Sequence, residues 1–508
     1  MGFAEPAFAA DPAAAPQDAA VAIHADRPGA RLDPHIFGQF AEHLGHGVYD
    51  GIWVGPKSSV PNIHGFRRDV IDALKAIRVP VVRWPGGCFA DEYNWREGIG
   101  PVAKRPKRVN TNWGGVTESN AVGTHEFMEF SELVGADAYV AGDLGSAPPR
   151  EMAAWVEYMT SPTDSALAQE RIANGRKAPW KLAMFGVGNE LWGCGGNMDA
   201  VTAAQETRRY AAFIKTPEGV PLMKVASGAS GEDYAWTETM MAKAGDVIDG
   251  LALHYYTVPG GWENKKPATG FDEHDWAEVL AKTVAVDTLL TRHGKIMDKY
   301  DPKRRVALLL DEWGTWYKNE PGTNPGFLYQ QNSLRDALVA ALNFNIFTRH
   351  AERLRGANIA QMVNVLQALI LTDGAKMVRT PTYWAFDLYK DYQGATVLPV
   401  EVDSRWYGRG EYGLAAISAS AVRDPQGVVH VALVNADPAQ GSQVTVKIDG
   451  VAPGTVSGRI LTADKMDAHN TMDAPDAVRP QSFTAARWQN GVLTATLPPK
   501  AVVMLELR

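Results

Sequence analysis

The 508-residue sequence has very few cysteines and no long apolar run. Only two cysteines occur, Cys88 and Cys194, so we expect no disulfide framework and no CxxC metal site. No run of 18 apolar residues is present, which argues against a membrane span. The formal net charge is −8, whereas a nucleic-acid partner favours a basic patch. We therefore expect neither a membrane nor a nucleic acid as a partner.

The signatures of several enzyme classes are also missing. The pair Gly186-Val-Gly188 lacks the third glycine of a dinucleotide-binding loop, because position 191 is Leu. The stretch His125-Glu-Phe-Met-Glu129 lacks the second histidine of a zinc-binding helix. No serine of a G-x-S-x-G elbow stands beside a histidine. We expect no metal and no organic cofactor.

The first twenty residues are rich in alanine and proline. Within them, Ala7-Phe8-Ala9 resembles a signal-peptide cleavage site, yet no basic or apolar segment precedes it. Two interpretations stay open: the remnant of a trimmed export signal, or a plain disordered terminus. The first predicts a periplasmic or secreted protein, and the second predicts a cytoplasmic one.

Between residues 32 and 393, apolar runs of strand length alternate with amphipathic helical segments. Eight such repeats predict a closed parallel (β/α)8 TIM barrel. An open doubly wound sheet is the rival, but it usually carries a Gly-rich phosphate loop after its first strand, and none is present there. The predicted strands cover residues 35–40, 79–83, 137–143, 182–190, 224–228, 249–254, 306–312 and 361–367.

The pattern changes from residue 394 to residue 508. Short runs with period-two alternation are separated by turn clusters, and no helical period is sustained. This pattern predicts an all-β sandwich, similar to a jelly roll. The short strand candidate at residues 21–31 lies outside the barrel pattern, so we expect it to join the sandwich and make that domain discontinuous.

Two predicted barrel strands end in a glutamate followed by an aromatic residue. The run from Leu182 ends in Asn189 and Glu190, and the run from Val306 ends in Glu312. The carboxyl ends of barrel strands are where such enzymes keep their chemistry. Two carboxylates that face each other across a sugar are the working groups of glycoside hydrolysis. Glu190 and Glu312 are therefore the candidate catalytic pair.

Other strand ends add polar groups to the same rim, and burying so many of them without a function is costly. Both cysteines are also candidates for this rim. A nucleophilic thiol needs an activating base, and none can be identified, so we interpret Cys88 and Cys194 as structural or sugar-contacting thiols. The remaining rim candidates are Glu42, Arg83, Trp113, Asp143, Asn189, His254, Tyr256 and Gln367.

Several stretches together resemble the α-L-arabinofuranosidases of glycoside hydrolase family 51. The resemblance implies a retaining mechanism in which Glu190 is the acid/base and Glu312 the nucleophile, held by Arg83. It implies an arabinofuranose subsite built from Glu42, Cys88, Asn189, Tyr256 and Gln367, to which we add Trp113 and His254 as candidates. The stretches are Phe40–Gly45 with Val48–Gly51, Arg83–Phe89 with Asn94-Trp95 and Gly98–Pro101, Gly188-Asn-Glu190, and Asp311-Glu-Trp313.

The resemblance implies an exo-acting enzyme that removes terminal non-reducing α-L-arabinofuranosyl residues from arabinan, arabinoxylan or arabino-oligosaccharides. It also implies a homo-oligomer, a hexamer. Asp143 stands where asparagine is common in the family, which leaves the contribution of the third strand open. Two alternatives remain: another retaining glycosidase of the same clan, such as a β-xylosidase or endoglucanase, and a non-catalytic sugar-binding barrel. The presence of both glutamates argues against the second.

Overall fold

A computed structural model describes residues 17–451, 454–489 and 491–508. Residues 1–16, which include the alanine-flanked Phe8 of the expected cleavage site, lie outside the described part. Among the described helices, none combines the length and the apolar character that a membrane crossing requires.

The centre of the molecule is a closed barrel of eight parallel strands, which confirms the predicted fold class. Consecutive strands are neighbours, and strand 8 closes the ring by pairing Asn358 with Gly38 of strand 1. Strand 7 is buried along its whole length, as expected for a sheet covered on both faces. In order, the strands are Gly38–Phe40, Val81–Trp84, Asp137–Gly142, Leu182–Val187, Met223–Ser230, Gly250–Thr257, Ala307–Thr315 and Leu354–Ile359.

The eighth strand is not where the sequence pattern predicted it. The strand is Leu354–Ile359, and the predicted segment 361–367 is an irregular stretch that follows it. Asn364 and Leu366 have φ values of 60° and 49°, which no β-strand contains. The segment folds back instead, because the Gln361 N–H donates to the carbonyl of Val365 at 3.1 Å. It therefore forms a loop at the carboxyl end of the barrel.

Helices surround the barrel, and most of them bury an apolar stripe. The helix Leu334–Arg349 is buried on nearly every side because it lies between the barrel and the second domain. Its Asn345 side chain receives a hydrogen bond from Ser420 of that domain at 2.6 Å. The other helices are Arg68–Ala76, Thr124–Val134, Pro149–Thr160, Ala166–Ala173, Ala200–Phe213, Tyr234–Ala244, Glu273–Val284, Val286–Tyr300 and Pro381–Tyr389.

The second domain is a sandwich of two sheets, as predicted. Strand Gln17–His24 pairs in parallel with Ser442–Asp449 and antiparallel with Val400–Asp403, so the N-terminal strand belongs to this domain. It begins earlier than the expected residue 21, and residues 17–20 are part of it. The five-stranded sheet adds Ala486–Gln489 and Val492–Leu497; the six-stranded sheet contains Thr396–Leu398, Ile417–Arg423, Val429–Asn435, Val456–Leu461, Gln481–Ser482 and Ala501–Leu507. The domain limits 32–393 and 394–508 stay predictions.

Candidate active site

The carboxyl ends of the barrel strands surround a cleft of about 440 Å³. The cleft wall contains both candidate glutamates and much of the predicted rim. Glu42, Cys88, Trp113, His254 and Tyr256 all contribute to it. Arg83 and Asn189 lie directly behind the wall, each only 2% exposed.

Glu312 lies at the floor of the cleft and accepts two strong hydrogen bonds. Arg83 donates from Nη1 to Oε1 at 2.7 Å, and the Tyr256 hydroxyl donates to Oε2 at 2.7 Å. The second guanidinium nitrogen of Arg83 donates to Oδ1 of Asn189 at 2.6 Å. Charge-assisted donors of this kind favour the ionised carboxylate. The surroundings of Glu312 therefore suit a nucleophile.

Glu190 follows barrel strand 4 in a left-handed backbone conformation, with φ at 41°. This turn directs its carboxylate toward the cleft, where the side chain is 18% exposed. Burial raises the pKa of Glu190; a hydrogen bond from His254 opposes this shift, the charge of Glu312 adds to it, and the net direction is upward. A raised pKa keeps a carboxylic acid protonated, which is what a general acid requires.

His254 connects the two glutamates to a third carboxylate. Its Nδ1 lies 2.8 Å from Oε1 of Glu190 and 3.6 Å from Oε2 of Glu312, and its Nε2 lies 3.0 Å from Oδ1 of Asp311. Burial by itself lowers the pKa of His254, but the charge of Glu312 and the bonds to Asp311 and Glu190 outweigh burial and raise the pKa to about 10. Three carboxylates around one imidazole thus favour its protonated form, in which Nδ1 donates to Glu190.

Asp311 is a buried member of the site that the sequence analysis did not single out. Burial raises its pKa, yet Arg83 and His254 outweigh burial and the net direction is downward. Its Oδ2 also accepts from the Tyr139 hydroxyl at 2.9 Å, inside the barrel. The signal was in the sequence, because Asp311 directly precedes Glu312 in the quoted motif. Asp311 holds His254 in place from below.

Glu42 closes the opposite side of the cleft, after barrel strand 1. One carboxylate oxygen accepts from the backbone N–H groups of Gly87 and Phe89 and from Trp113 Nε1, at 2.9–3.1 Å. Burial raises the pKa of Glu42 to about 7, and the charge of Glu312 contributes. A side chain at Gly87 would bring Cβ within 2.9 Å of Glu312 Oε1, so glycine is needed there.

Gln367 is not part of the cleft, and its predicted role as a sugar contact is wrong. Its Oε1 accepts from the backbone of Thr315 at 2.9 Å and its Nε2 donates to the carbonyl of Asp336 at 2.8 Å. The residue is fully buried. Gln361, at the other end of the same segment, lines the cleft instead and donates to Glu42 Oε2 at 3.1 Å. Residues 361–367 were predicted to form a strand, and Gln367 would have stood at the carboxyl end of that strand.

The two cysteines form a disulfide, which corrects the expectation of two thiols. Cys88 and Cys194 lie 106 residues apart, and their Cα atoms are 5.4 Å apart. Cys88 lines the cleft and Cys194 is exposed beside it. Cys194 Sγ lies 3.6 Å from Glu190 Oε2; an oxidised sulfur has no proton to donate, so this is a packing contact. The disulfide ties the loop after strand 2 to the loop after strand 4.

The third strand contributes structure and no contact to the cleft. Asp143 accepts from the backbone N–H and hydroxyl of Ser146, both at 2.8 Å, and closes a turn. Asp91, which the sequence analysis missed, accepts from the N–H groups of Leu144, Gly145 and Asn189 at 2.8–2.9 Å. Asp91 thus holds Asn189 in position behind the cleft.

Aromatic rings cover the entrance of the cleft. Trp262 is 57% exposed, and its ring meets Trp316 edge-on at 5.2 Å, which in turn meets Tyr256 at 5.1 Å. Trp192 and Trp113 stand on other sides of the entrance. A cleft with carboxylates at its floor and indole rings at its mouth fits a sugar, whose hydroxyls need acceptors and whose ring faces pack on aromatic surfaces.

The chain is similar to proteins of one family over nearly its whole length. Residues 73–275 match the family model described as the alpha-L-arabinofuranosidase 1 domain, and residues 311–501 match the alpha-L-arabinofuranosidase C-terminal domain. A Bacteroides ovatus protein named intracellular exo-alpha-L-arabinofuranosidase is 47% identical, over 97% of this chain and 96% of that protein. A Bifidobacterium longum protein named intracellular exo-alpha-(1->5)-L-arabinofuranosidase is 30% identical, over 96% and 92%.

Solved structures give the same result. The GH51 arabinofuranosidase from Xanthomonas axonopodis pv. citri has a TM-score of 0.96 and 56% identity, and the match covers 97% of this chain and all of that one. The alpha-L-arabinofuranosidase from Thermotoga maritima, solved as an arabinose complex, has a TM-score of 0.85 and 27% identity, with 96% and 99% covered.

Proposed function

Because this chain belongs to the α-L-arabinofuranosidases of glycoside hydrolase family 51, we propose that Glu312 and Glu190 carry out its reaction by double displacement. Glu312 is the nucleophile and Glu190 the acid/base. The product then keeps the anomeric configuration of the substrate. The sugar released is a terminal non-reducing α-L-arabinofuranosyl residue.

One distance carries this proposal. A carboxylate oxygen of Glu190 and one of Glu312 lie within 4.8 Å of each other, with His254 Nδ1 as close to both. Retaining glycosidases hold their two carboxyl groups about 5–5.5 Å apart, whereas inverting enzymes leave about 6.5–9.5 Å for a water molecule. The short separation supports direct attack by Glu312 on the sugar.

In the first step, Glu312 attacks the anomeric carbon while Glu190 donates its proton to the departing oxygen. Arg83 and Tyr256 hold the Glu312 carboxylate in one orientation, since each donates to a different oxygen at 2.7 Å. The C–O bond to the leaving group breaks as the bond to Glu312 forms. Asn189, fixed by Arg83 and Asp91, offers an amide that can bind the sugar 2-hydroxyl.

In the second step, the now ionised Glu190 removes a proton from water, and the water oxygen attacks the anomeric carbon. The bond to Glu312 breaks, and arabinose leaves with Glu190 protonated again. His254 Nδ1 lies within hydrogen-bond distance of Glu190 and can donate to its carboxylate in the state between the two steps. Glu42, Gln361 and Trp113 form a hydrogen-bonded wall that meets the same sugar from the other side.

The substrate that this proposal favours is an arabinose-containing glycan: arabinan, arabinoxylan or an arabino-oligosaccharide. Relatives in Bifidobacterium longum are named for (1->5) and for (1->6) linkages, so linkage varies within the family. A panel of arabino-oligosaccharides with single linkages, assayed by release of arabinose, identifies the preferred one.

An intracellular location forms a second part of the proposal. Three relatives are named intracellular. A disulfide argues for the opposite, since disulfides persist mainly in oxidising compartments. We give more weight to the relatives, because the disulfide borders the cleft and is solvent accessible, as expected of a redox-labile pair. Cell fractionation followed by immunodetection tests this location; recovery in the periplasm or medium would refute it.

Two variants test the assignment of roles. Glu312→Ala should nearly abolish turnover of every arabinofuranoside, whatever its leaving group. Added azide should restore part of the rate by attacking in place of the lost carboxylate, and the resulting glycosyl azide should have inverted configuration. An unchanged configuration, or no rescue by azide, would mean that Glu312 is not the nucleophile.

Glu190→Ala should distinguish between substrates by their leaving groups. An aryl arabinofuranoside with an acidic phenol should still form the glycosyl-enzyme and give a burst, because such a leaving group needs little protonation. An oligosaccharide should lose about 10²–10⁴-fold more rate, the usual contribution of general acid catalysis. Equal losses on both substrates would contradict the acid/base role.

A further inference from the structure

The disulfide beside the acid/base is a feature that the proposed reaction does not use. Glu190 Oε2 lies 3.6 Å from Cys194 Sγ, and Asn189 Nδ2 lies 3.9 Å from the same sulfur. Cys88 is partly exposed and Cys194 is exposed, so solvent and small reductants reach the bond. Breaking it would leave two thiols next to a catalytic carboxylate.

Those three groups have the arrangement of a metal-ligand set. One ligand atom each from Cys88, Cys194 and Glu190 lies within 4.8 Å of the other two. Two thiolates and a carboxylate are ligands that Zn²⁺ binds tetrahedrally, with Zn–S near about 2.3 Å and a water in the fourth position. Harder ions such as Mg²⁺ prefer oxygen ligands only. The set therefore selects a soft or borderline divalent cation.

The surrounding backbone leaves the sulfurs free to separate. Two sulfurs on one tetrahedral zinc lie roughly 3.8 Å apart, given Zn–S bonds of about 2.3 Å. Cys194 stands between Gly193 and Gly195, and the loop backbone is fixed by bonds from both glycines to the carbonyl of Glu190, at 2.7 and 3.1 Å. Rotation of the Cys194 side chain on this fixed loop opens the distance without moving the acid/base.

We propose that reduction of the Cys88–Cys194 disulfide creates a binding site for Zn²⁺ or a similar cation, made of both sulfurs and the Glu190 carboxylate, and that the bound ion inhibits the enzyme. The ion binds the Glu190 carboxylate, which must donate a proton in the first step and accept one in the second. It also fills the edge of the cleft that Cys88 lines. Activity then depends on thiol redox state and on metal together. The inhibitory part rests on the proposed role of Glu190.

The chemistry balances with a trialkylphosphine as the reductant. Phosphorus attacks one sulfur, the S–S bond breaks, and water supplies an oxygen to phosphorus and two protons to the sulfurs. The disulfide gains two electrons and the phosphine becomes a phosphine oxide. Binding of Zn²⁺ then releases the two thiol protons, because metals bind thiolates.

The experiment compares two forms of the full chain. One sample is air-oxidised, and the other is reduced with a trialkylphosphine and desalted without oxygen. Each is incubated with a series of Zn²⁺ concentrations. Free thiols, zinc retained per chain after gel filtration, and the rate on an arabino-oligosaccharide are measured. The oligosaccharide is chosen because its leaving group is poor and can depart only when Glu190 protonates it.

The reduced form should show two new thiols, retain one zinc per chain and lose about 100-fold or more in rate, the lower end of what general acid catalysis contributes. A chelator should restore the rate. The oxidised form should retain no zinc and keep its rate. Reduced Cys194→Ser, compared with its own metal-free rate, should bind zinc about 10–100-fold more weakly.

Different outcomes would overturn the metal site and the inhibition. Equal zinc binding in both redox forms would place the ion at a cluster without sulfur, such as Glu190, His254 and Glu312, and would refute the cysteine site. No zinc in the reduced form, or unweakened binding in Cys194→Ser, would remove the cysteines as ligands. One zinc per reduced chain without loss of rate would support the metal site and count against the acid/base role of Glu190, so the two proposals fail separately.

Discussion

Glu190 and Glu312 are the same residue type in one cleft, and their neighbours differ. Glu312 accepts hydrogen bonds from the Arg83 guanidinium and the Tyr256 hydroxyl, both at 2.7 Å. Glu190 instead accepts one hydrogen bond from the His254 imidazole and packs against the Cys194 sulfur. Pairs of titratable groups whose surroundings separate their pKa values mark acid and nucleophile. These surroundings support the roles that we propose for the two glutamates.

His254 should affect the pH range of the reaction, since its charge and its hydrogen bond lower the pKa of Glu190. His254→Gln removes that charge, so the pKa of Glu190 should rise. We expect the alkaline limb of the bell-shaped profile of kcat/KM, where Glu190 loses its proton, to move to higher pH. The profile is measured on an oligosaccharide substrate.

Tyr256→Phe is the matched control for that prediction. It removes a donor to Glu312 and none to Glu190. The alkaline limb should therefore stay in place in this variant. An alkaline limb that does not move in His254→Gln, or that moves equally in Tyr256→Phe, would show that His254 does not lower the pKa of Glu190.

Gln361 and Gln367 offer a second matched pair. Gln361→Ala removes two hydrogen bonds with Glu42, one to its carboxylate and one from its backbone N–H, together with part of the cleft wall, so kcat/KM should fall about tenfold. Gln367→Ala leaves the buried N–H of Thr315 unpaired, which costs about 1–3 kcal/mol, and it should lower the melting temperature without changing kcat/KM. A fall in kcat/KM for Gln367→Ala, with no change for Gln361→Ala, would return Gln367 to the sugar site.

At the scale of elements, seven of the eight barrel strands could be predicted because each contains a run of apolar residues. The eighth could not. Leu354–Ile359 includes arginine, glycine and asparagine, so it lacks the apolar run by which the other strands were found. Residues 361–367 contain more apolar residues, interrupted by polar ones, as a half-buried strand would. Residues 354–359 form the eighth strand because they pair with strand 1 and so close the barrel, a contact that no local sequence pattern predicts. Gln367 was wrongly predicted to contact the sugar because it stood at the end of the wrongly placed strand 361–367.

Contacts between distant loops could not be predicted either. The pairing of Cys88 with Cys194 depends on loops that adjacent strands bring together, and no local pattern encodes it. The same holds for Asp91, whose three backbone partners belong to two other loops. Residues at strand ends were predictable because the barrel fixes where a strand end points.

The N-terminal strand of the sandwich gives a prediction at this scale. Val21 is 2% exposed, whereas its neighbour Ala20 faces solvent beside Asp403. Val21→Lys buries an unpaired charge and should cost more than about 4 kcal/mol, lowering the melting temperature by roughly 10 °C. Ala20→Lys should change it by about 1 °C at most. Equal melting temperatures, read by calorimetry, would mean that this strand does not belong to the sandwich core.

At the scale of the whole molecule, the expected hexamer stays a prediction. Six chains of 55.2 kDa would give a particle of roughly 330 kDa with closed symmetry. Light scattering coupled to gel filtration measures this mass directly, and dilution shows whether the assembly dissociates. A mass near that of one chain would refute it.

Buried histidines make the stability of the whole chain depend on pH. His43 is 1% exposed, and its Nε2 accepts from Trp84 Nε1 at 3.1 Å. Burial lowers the pKa of His43 to about 3, and burial lowers the pKa of His125 to about 4. In the unfolded chain both pKa values are about 6.5. As the pH falls below 6.5, the two histidines therefore take up protons in the unfolded chain but stay neutral in the folded chain until the pH reaches their lowered pKa values.

Each such histidine should lower the free energy of unfolding by about 1.4 kcal/mol per pH unit, from pH 6.5 down to its folded pKa. Its stabilising effect is complete above pH 6.5. His43→Gln keeps an acceptor for Trp84 and cannot titrate, so the curves of free energy against pH for variant and wild type should converge between pH 6 and pH 4 by about 1.4 kcal/mol per unit. Urea unfolding at several pH values measures both curves. Parallel curves would show that His43 binds its proton equally well in the folded and the unfolded chain, because a difference in slope requires a difference in pKa between the two states.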